Sequence, residues 1–193
     1  MSFLTGTQAE LLYVMPAPIT KNTYTTEAAF TGVAGTNVIC KIPAGYFAND
    51  NPNPVGRSLY LQGWGVIANT AAATFAVNLG LDTTAGTKIN AVGVMAATAP
   101  VAAVTAPLHF EAWYTCTAFA TTTMSLQVNG SWAQAGAASG GAGTAGALSS
   151  QFRGTLTGLS TTADLFIELF GTWSASSASN TTTVDQMMLW GLN

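Results

Sequence analysis

The chain has 193 residues, a formal net charge of −3, and charged side chains at only 7% of its positions. Its five Lys and Arg residues are scattered, whereas contact with a phosphate backbone needs clustered cations, so nucleic-acid binding is excluded. No apolar run reaches the roughly 18 residues of a membrane span, so neither a transmembrane helix nor a membrane partner is predicted.

The scarcity of charge is the strongest compositional signal, since about 25% of residues are charged in an ordinary soluble domain. Two interpretations follow. Thr, Ser, Asn and Gln replace charge on an exposed surface, or much of the surface is buried against other subunits. We favour the second, because a free monomer with so few charges has little to keep it apart from its neighbours.

The N-terminal residues and the cysteines bear on the cellular compartment. Residues 1–6 lack the basic and apolar regions of a signal peptide, so we expect synthesis in a cytoplasm without export by a signal peptide. Cys40 and Cys116 both lie in alternating apolar segments. A reducing compartment favours buried free thiols, and a disulfide remains the alternative if the two strands adjoin.

Strand signals dominate the chain, because Thr, Val, Phe, Trp and Tyr recur in short alternating runs between Gly, Pro and Asn turns. Residues 1–20 are interpreted as an extended N-terminal arm that includes one short strand, and Asn129-Gly130 as a hairpin turn. The candidate strand segments, of which 10–15 is short and 88–95 is weak, are 10–15, 25–30, 37–42, 58–68, 74–81, 88–95, 108–119, 122–128, 151–159, 165–173 and 182–192.

This pattern predicts an all-β fold of about eight to ten strands, formed by residues 1–193 as a single domain. Because strands follow one another without intervening helices, the architecture is an antiparallel β-sandwich or a barrel. Sequential hairpins with a few long connections favour jelly-roll winding over an up-and-down barrel.

Groups for catalysis are few. His109 is the only histidine, and alternation along its strand places it on one face with Glu111 and Trp113. This is a general-base pair or, as we favour, a half-exposed polar face, because no nucleophile motif accompanies it. A glycosidase needs two opposed carboxylates. The eight acidic residues are isolated in the sequence, and no two of them have a spacing that indicates such a pair. We therefore expect no catalytic residues and no enzyme activity.

Metal and cofactor signals are equally weak. One histidine and two cysteines match no zinc spacing. Asp50 and its Asn neighbours are interpreted as a turn rather than a calcium loop. The glycine-rich segment 140–146 lacks the Lys-Ser/Thr pair of a phosphate-binding loop and is interpreted as an extended loop. No metal and no cofactor are predicted.

Tryptophans are the remaining candidates for recognition. Trp64, Trp113 and Trp132 are taken as candidate interface or ligand aromatics. Exposed aromatics on a β-sandwich can stack on sugar rings, whereas in the core or a subunit interface they fill space. The second interpretation is favoured, because the charged residues that usually hold sugar hydroxyls are scarce.

The low charge, the abundance of Ala, Thr and Gly, and the ending TTVDQMMLWGL at 182–192 resemble structural proteins of tailed bacteriophages. The final strand resembles that of jelly-roll head-decoration and fibre-tip proteins. The resemblance implies a capsid decoration protein on the virion surface, a homotrimer that cements the major capsid protein. The alternative is a receptor- or glycan-binding tip of a phage tail or fibre.

Overall fold

The computed structural model describes residues 9–22, 24–29, 40–48, 54–68, 73–98, 106–134 and 148–192. In these ranges the chain forms twelve strands and no helix, so nothing there resembles a membrane-spanning helix. The strands are β1 (Ala9–Val14), β2 (Ile19–Asn22), β3 (Ala28–Ala29), β4 (Cys40–Ile42), β5 (Ser58–Ala68), β6 (Phe75–Asp82), β7 (Ala91–Thr98), β8 (Ala106–Phe119), β9 (Thr123–Gln134), β10 (Leu148–Ser160), β11 (Leu165–Trp173) and β12 (Thr181–Leu192).

The strands form two antiparallel sheets, which confirms the predicted fold class. Sheet A has the order β1-β12-β5-β8-β9-β10, with β2 also on β12, and sheet B has the order β3-β11-β6-β7, with β4 also on β11. Pairing is nested along the chain: β1 and β2 pair with β12, β3 and β4 with β11, β5 with β8, and β6 with β7. Successive pairs alternate between the sheets, which is the winding of a jelly roll.

The hairpin of β9 and β10 extends this plan at the free edge of β8. Its outer strand approaches the edge of sheet B, where the Ser150 hydroxyl donates to the Val94 carbonyl at 2.8 Å. Gly154 permits the approach, because a Cβ there would lie 2.7 Å from a Val92 methyl carbon. Sheet A is therefore wider than sheet B and folds toward it along this side.

The N-terminal segment differs from the prediction of an extended arm. β1 pairs with residues 188–192 of β12, and β2 pairs with residues 181–184 of the same strand. Residues 9–14 and 19–22 therefore belong to sheet A, where Pro16 and Pro18 separate the two strands. Residues 1–8 lie outside the described part of the chain. β2 is not among the predicted segments, and the twelve strands of the described residues exceed the predicted eight to ten.

The core lies between the sheets and follows the predicted alternation. In β8 the side chains of Leu108, Phe110, Ala112 and Tyr114 are buried, and those between them face outward. Cys40 and Cys116 lie in this core as free thiols, and burial raises the pKa of each.

The predicted turn at Asn129-Gly130 is wrong, because both residues lie inside β9. A Cβ on Gly130 would come closer than 3.0 Å to the Glu111 carbonyl oxygen and to the Phe152 ring. Glycine is therefore needed here for close packing between strands. The resulting Asn-Gly dipeptide is the same as the one that favours a hairpin turn. β9 consequently continues to Gln134, and the alternation carries through Trp132.

Candidate functional site

The outer face of sheet A carries a continuous row of side chains that runs across its strands. Cross-strand partners in an antiparallel sheet point to the same side, so each registered pair extends the row by one strand. Starting at β1, the partners are Leu11, Trp190, Tyr60, Trp113, Asn129 and Arg153. The row is apolar and aromatic at the β1 end and polar at the β10 end.

Three aromatic rings form the centre of the row. The Tyr60 ring lies 5.7 Å from Trp190 with an interplanar angle of 28°, and 4.5 Å from Trp113 with an angle of 37°. Such cross-strand aromatic pairs contribute about 0.5–1.5 kcal/mol each beyond area burial. Trp113 nevertheless remains 43% exposed, so the three stacked rings are accessible to a ligand at the Trp113 end.

A carboxylate is fixed beside the aromatic rings. The Tyr60 hydroxyl donates to Glu111 Oε2 at 3.0 Å, and the Ser131 hydroxyl donates to Oε1 at 3.1 Å. Burial, and then the hydrogen bond and charge of Glu111, raise the pKa of Tyr60 to about 12. The phenol therefore stays protonated near neutral pH and holds the carboxylate in one orientation.

His109 lies one row beyond Glu111 on the same face, where its cross-strand partner is Trp64. Its ring lies 5.7 Å from Trp64, and its Nε2 is 3.2 Å from Gln62 Nε2. His109 and Glu111 share a face as the alternation predicts. Each is hydrogen-bonded to different side chains, Gln62 for the histidine and Tyr60 and Ser131 for the carboxylate.

The three candidate tryptophans have different surroundings. Trp64 is half-buried and Trp113 exposed on the outer face of sheet A, whereas Trp132 is fully buried. Trp132 stacks on Phe110 with ring centroids 5.9 Å apart and an angle of 15°. The prediction that Trp132 is a candidate ligand or interface aromatic is therefore wrong, because the alternation of side chains along β9 points Trp132 into the core.

Tyr60, Trp190, Asn129 and Arg153 were not singled out from the sequence. Alternation within each strand identifies them as outward-facing, but only the register between strands shows that they join Trp113 in one row.

Two further carboxylates lie on the outer side of sheet B and are buried beneath the connection from β6 to β7. The Gly86 amide donates to Glu168 Oε2 at 2.6 Å. Asp82 accepts from the amides of Thr83 at 2.7 Å and Ile89 at 3.2 Å. These acids hold the connection against the sheet, which gives them a structural explanation.

Replacing Glu168 with glutamine should change how stability depends on pH. Burial and the nearby Asp82 charge raise the pKa of Glu168 above its ordinary 4.5, against the opposing effect of the Gly86 hydrogen bond. The folded carboxyl thus binds its proton more tightly than the unfolded one. Its stabilising contribution is full below the ordinary pKa and declines as pH rises through the folded pKa.

Glu168→Gln removes this decline, so its unfolding free energy relative to wild type should rise as pH increases above the ordinary pKa of 4.5. Denaturant unfolding across that range measures the difference. Parallel curves for the two proteins would contradict the assignment.

Among the residues that the structure describes, no three His, Cys, Asp or Glu side chains are grouped to hold a metal ion. Asp50 and the glycine-rich segment 140–146 lie outside the described residues.

No protein-family model and no curated protein matches this chain. Among solved structures, it is similar to the CBM2 module of the evolved Dit of Lactobacillus casei BL23 phage J-1. Identity is 11%, coverage is 97% of both chains, and the TM-score is 0.38. It is also similar to the structure of infectious bursal disease virus Gx strain, with 14% identity, a TM-score of 0.33, and coverage of 96% of this chain and 41% of that one.

Proposed function

We propose that this chain is a non-catalytic structural protein of a bacteriophage particle. Its finer role is that of a capsid decoration protein, which forms a homotrimer on the major capsid protein at the particle surface. The observation that carries the proposal is the charge content of 7% on a jelly roll with exposed apolar side chains. Jelly rolls are recurrent in viral capsids, and subunit burial explains a surface with so little charge.

The surface offered for assembly is an apolar strip at the β1 edge of sheet A, formed by Leu11, Val14, Met188 and Trp190. Leu11 is registered with Trp190, and Val14 with Met188. Leu11 is 53% exposed and Val14 is 44% exposed. Contiguous exposed apolar surface of this kind marks interaction sites, and each Å² removed from water contributes about 25 cal/mol.

The physical mechanism is cementing. Apolar and threonine-rich strand faces bury against sister subunits and the shell, and the added contacts resist expansion of the head by packaged DNA. No covalent chemistry is required of the chain.

Placing a charge on the apolar strip should break the oligomer. Wild type is expected to be a trimer by light scattering and to bind capsids that lack it. Leu11→Asp is expected to be a monomer with weakened capsid binding, because a carboxylate would be desolvated in the contact. Thr155→Asp, which adds the same charge at an exposed position on β10, serves as the matched control and should remain trimeric. A wild-type protein that is a stable monomer without affinity for capsids contradicts the proposal.

A second candidate is a receptor- or glycan-binding tip of a phage tail or fibre. The exposed Trp113 ring favours it, because this ring lies beside hydrogen-bonding side chains rather than within the apolar strip. Labelling of intact particles separates the candidates, since a decoration protein is present in many copies over the head and a tip protein at the end of the tail.

A further inference from the structure

The polar end of the row on sheet A brings together side chains that the sequence keeps far apart. Trp113 is registered with Asn129, and Asn129 with Arg153, on three successive strands. All three side chains are exposed. Glu111 precedes Trp113 by two residues on the same face and is registered with Ser131. In a chain with few charges, one carboxylate therefore lies beside the most exposed tryptophan, and one guanidinium lies on the same face two strands away.

The orientation of Trp113 leaves one side of its ring available. Tyr60 covers the side that faces β5, at 4.5 Å between ring centroids. On the β9 side the cross-strand neighbour is Asn129, which is smaller and exposed. An incoming planar or flat-sided group can therefore reach the ring from above β9.

The polar groups around this ring supply both donors and acceptors. An ionised carboxylate has about four lone-pair sites, and the two observed hydrogen bonds to Glu111 leave capacity on both oxygens. Arg153 offers only donors, and Asn129 offers both kinds. Because Tyr60 and Ser131 already orient Glu111, its ordering cost on binding is reduced.

A pyranose ring has the complementary chemistry. Its axial C–H bonds form an apolar face that packs on an aromatic ring, and its hydroxyl groups donate and accept hydrogen bonds around the edge. Neighbouring strands are about 4.8 Å apart, close to the length of one sugar unit in an extended oligosaccharide. Trp113, Asn129 and Arg153 thus span a surface suited to one or two units.

We propose that the outer face of β8, β9 and β10 binds a saccharide. The sugar ring stacks on Trp113, Glu111 accepts hydroxyl protons, and Asn129 and Arg153 hold further hydroxyl oxygens. This goes beyond the assembly role; for a tail or fibre tip it rests on the second candidate function and names the ligand class and the residues that bind it. Near-balance of one acidic and one basic group favours a neutral saccharide over a strongly charged polymer.

The test uses the full chain on a glycan array of neutral and acidic oligosaccharides, followed by calorimetric titration of the strongest hit. Wild type should bind a saccharide reproducibly. Asn129→Ala and Arg153→Ala should each weaken binding by about tenfold, as expected for loss of one hydrogen bond. Trp113→Ala should abolish binding, and Trp113→Phe, which keeps a ring, should restore part of it.

Trp64→Ala is the matched control, because Trp64 lies on the same face beside His109, away from Arg153, and its loss should leave saccharide affinity unchanged. Thermal unfolding and light scattering confirm that each variant is folded and assembled. If the assembly proposal alone is wrong, the wild-type protein will be monomeric and will still bind the saccharide. The saccharide proposal is overturned by an array without hits, by binding that survives Trp113→Ala and Arg153→Ala, or by variants that lose only capsid attachment.

Discussion

Replacing Trp132 with alanine is expected to lower the free energy of unfolding by about 3–5 kcal/mol. The side chain is fully buried, and its ring is nearly parallel to Phe110 in the core beneath β8 and β9. Alanine would leave a cavity in an interior that relaxes only partly. Chemical denaturation monitored by circular dichroism measures the loss. A variant that is already partly unfolded at room temperature without denaturant also agrees with a loss of this size.

Trp113→Ala is the matched comparison, because it removes the same side chain from an exposed position. It should cost roughly 0.5–1.5 kcal/mol, the worth of one cross-strand aromatic pair with Tyr60. Equal losses for the two variants would contradict the assignment of Trp132 to the core and Trp113 to the surface.

Substituting Gly65 with alanine should be almost as damaging, with a loss of about 3 kcal/mol. A Cβ at this position would lie closer than 3.0 Å to the Thr183 carbonyl oxygen of β12, where no rotamer change can relieve the contact. The strain falls on the pairing of β5 with β12, at Val184 beside an irregularity in register. The measurement is again equilibrium unfolding.

Gly93→Ala is the control for this substitution, since it places the same methyl group on a strand. The nearest atom to the new Cβ would be Asn78 Oδ1 at 3.7 Å, an ordinary contact. Its unfolding free energy should stay within about 0.5 kcal/mol of wild type. A Gly65→Ala protein as stable as Gly93→Ala would show that β5 and β12 are further apart than described.

Much of the fold was predictable because side-chain alternation is a local property. The predicted strands 58–68 and 165–173 coincide with β5 and β11, and the buried and exposed faces of β8 follow its sequence directly. Winding was predicted only as a preference, because nested pairing of the first strands with the last depends on contacts across the whole chain.

The errors have physical causes that local patterns do not report. Asn129-Gly130 has the composition of a hairpin turn. Its glycine is required for another reason, because a side chain at this position would collide with the Phe152 ring on the neighbouring strand. Because the predicted strand ended at residue 128, the alternation that buries Trp132 could not be extended to that residue. The N-terminal segment is predicted as an extended arm, whereas β1 and β2 lie end to end along β12, a pairing with the far end of the chain that local sequence does not report.

The candidate site was predictable only in part. The face shared by His109, Glu111 and Trp113 follows from one strand. The contributions of Tyr60 and Arg153 come from other strands and depend on inter-strand register, which local sequence patterns do not report. The scarcity of charge argued against a sugar platform from composition, whereas the fold places one acid beside the exposed ring and one base two strands away on the same face.

Cryo-electron microscopy of the phage particle that carries this chain tests the central claim most directly. The account predicts that the jelly roll occurs as trimers on the outer surface of the capsid, with Leu11 and Val14 buried in contacts between subunits or with the shell. Particles whose heads lack density for the chain, or in which it is present as isolated copies with that strip exposed, would contradict the account.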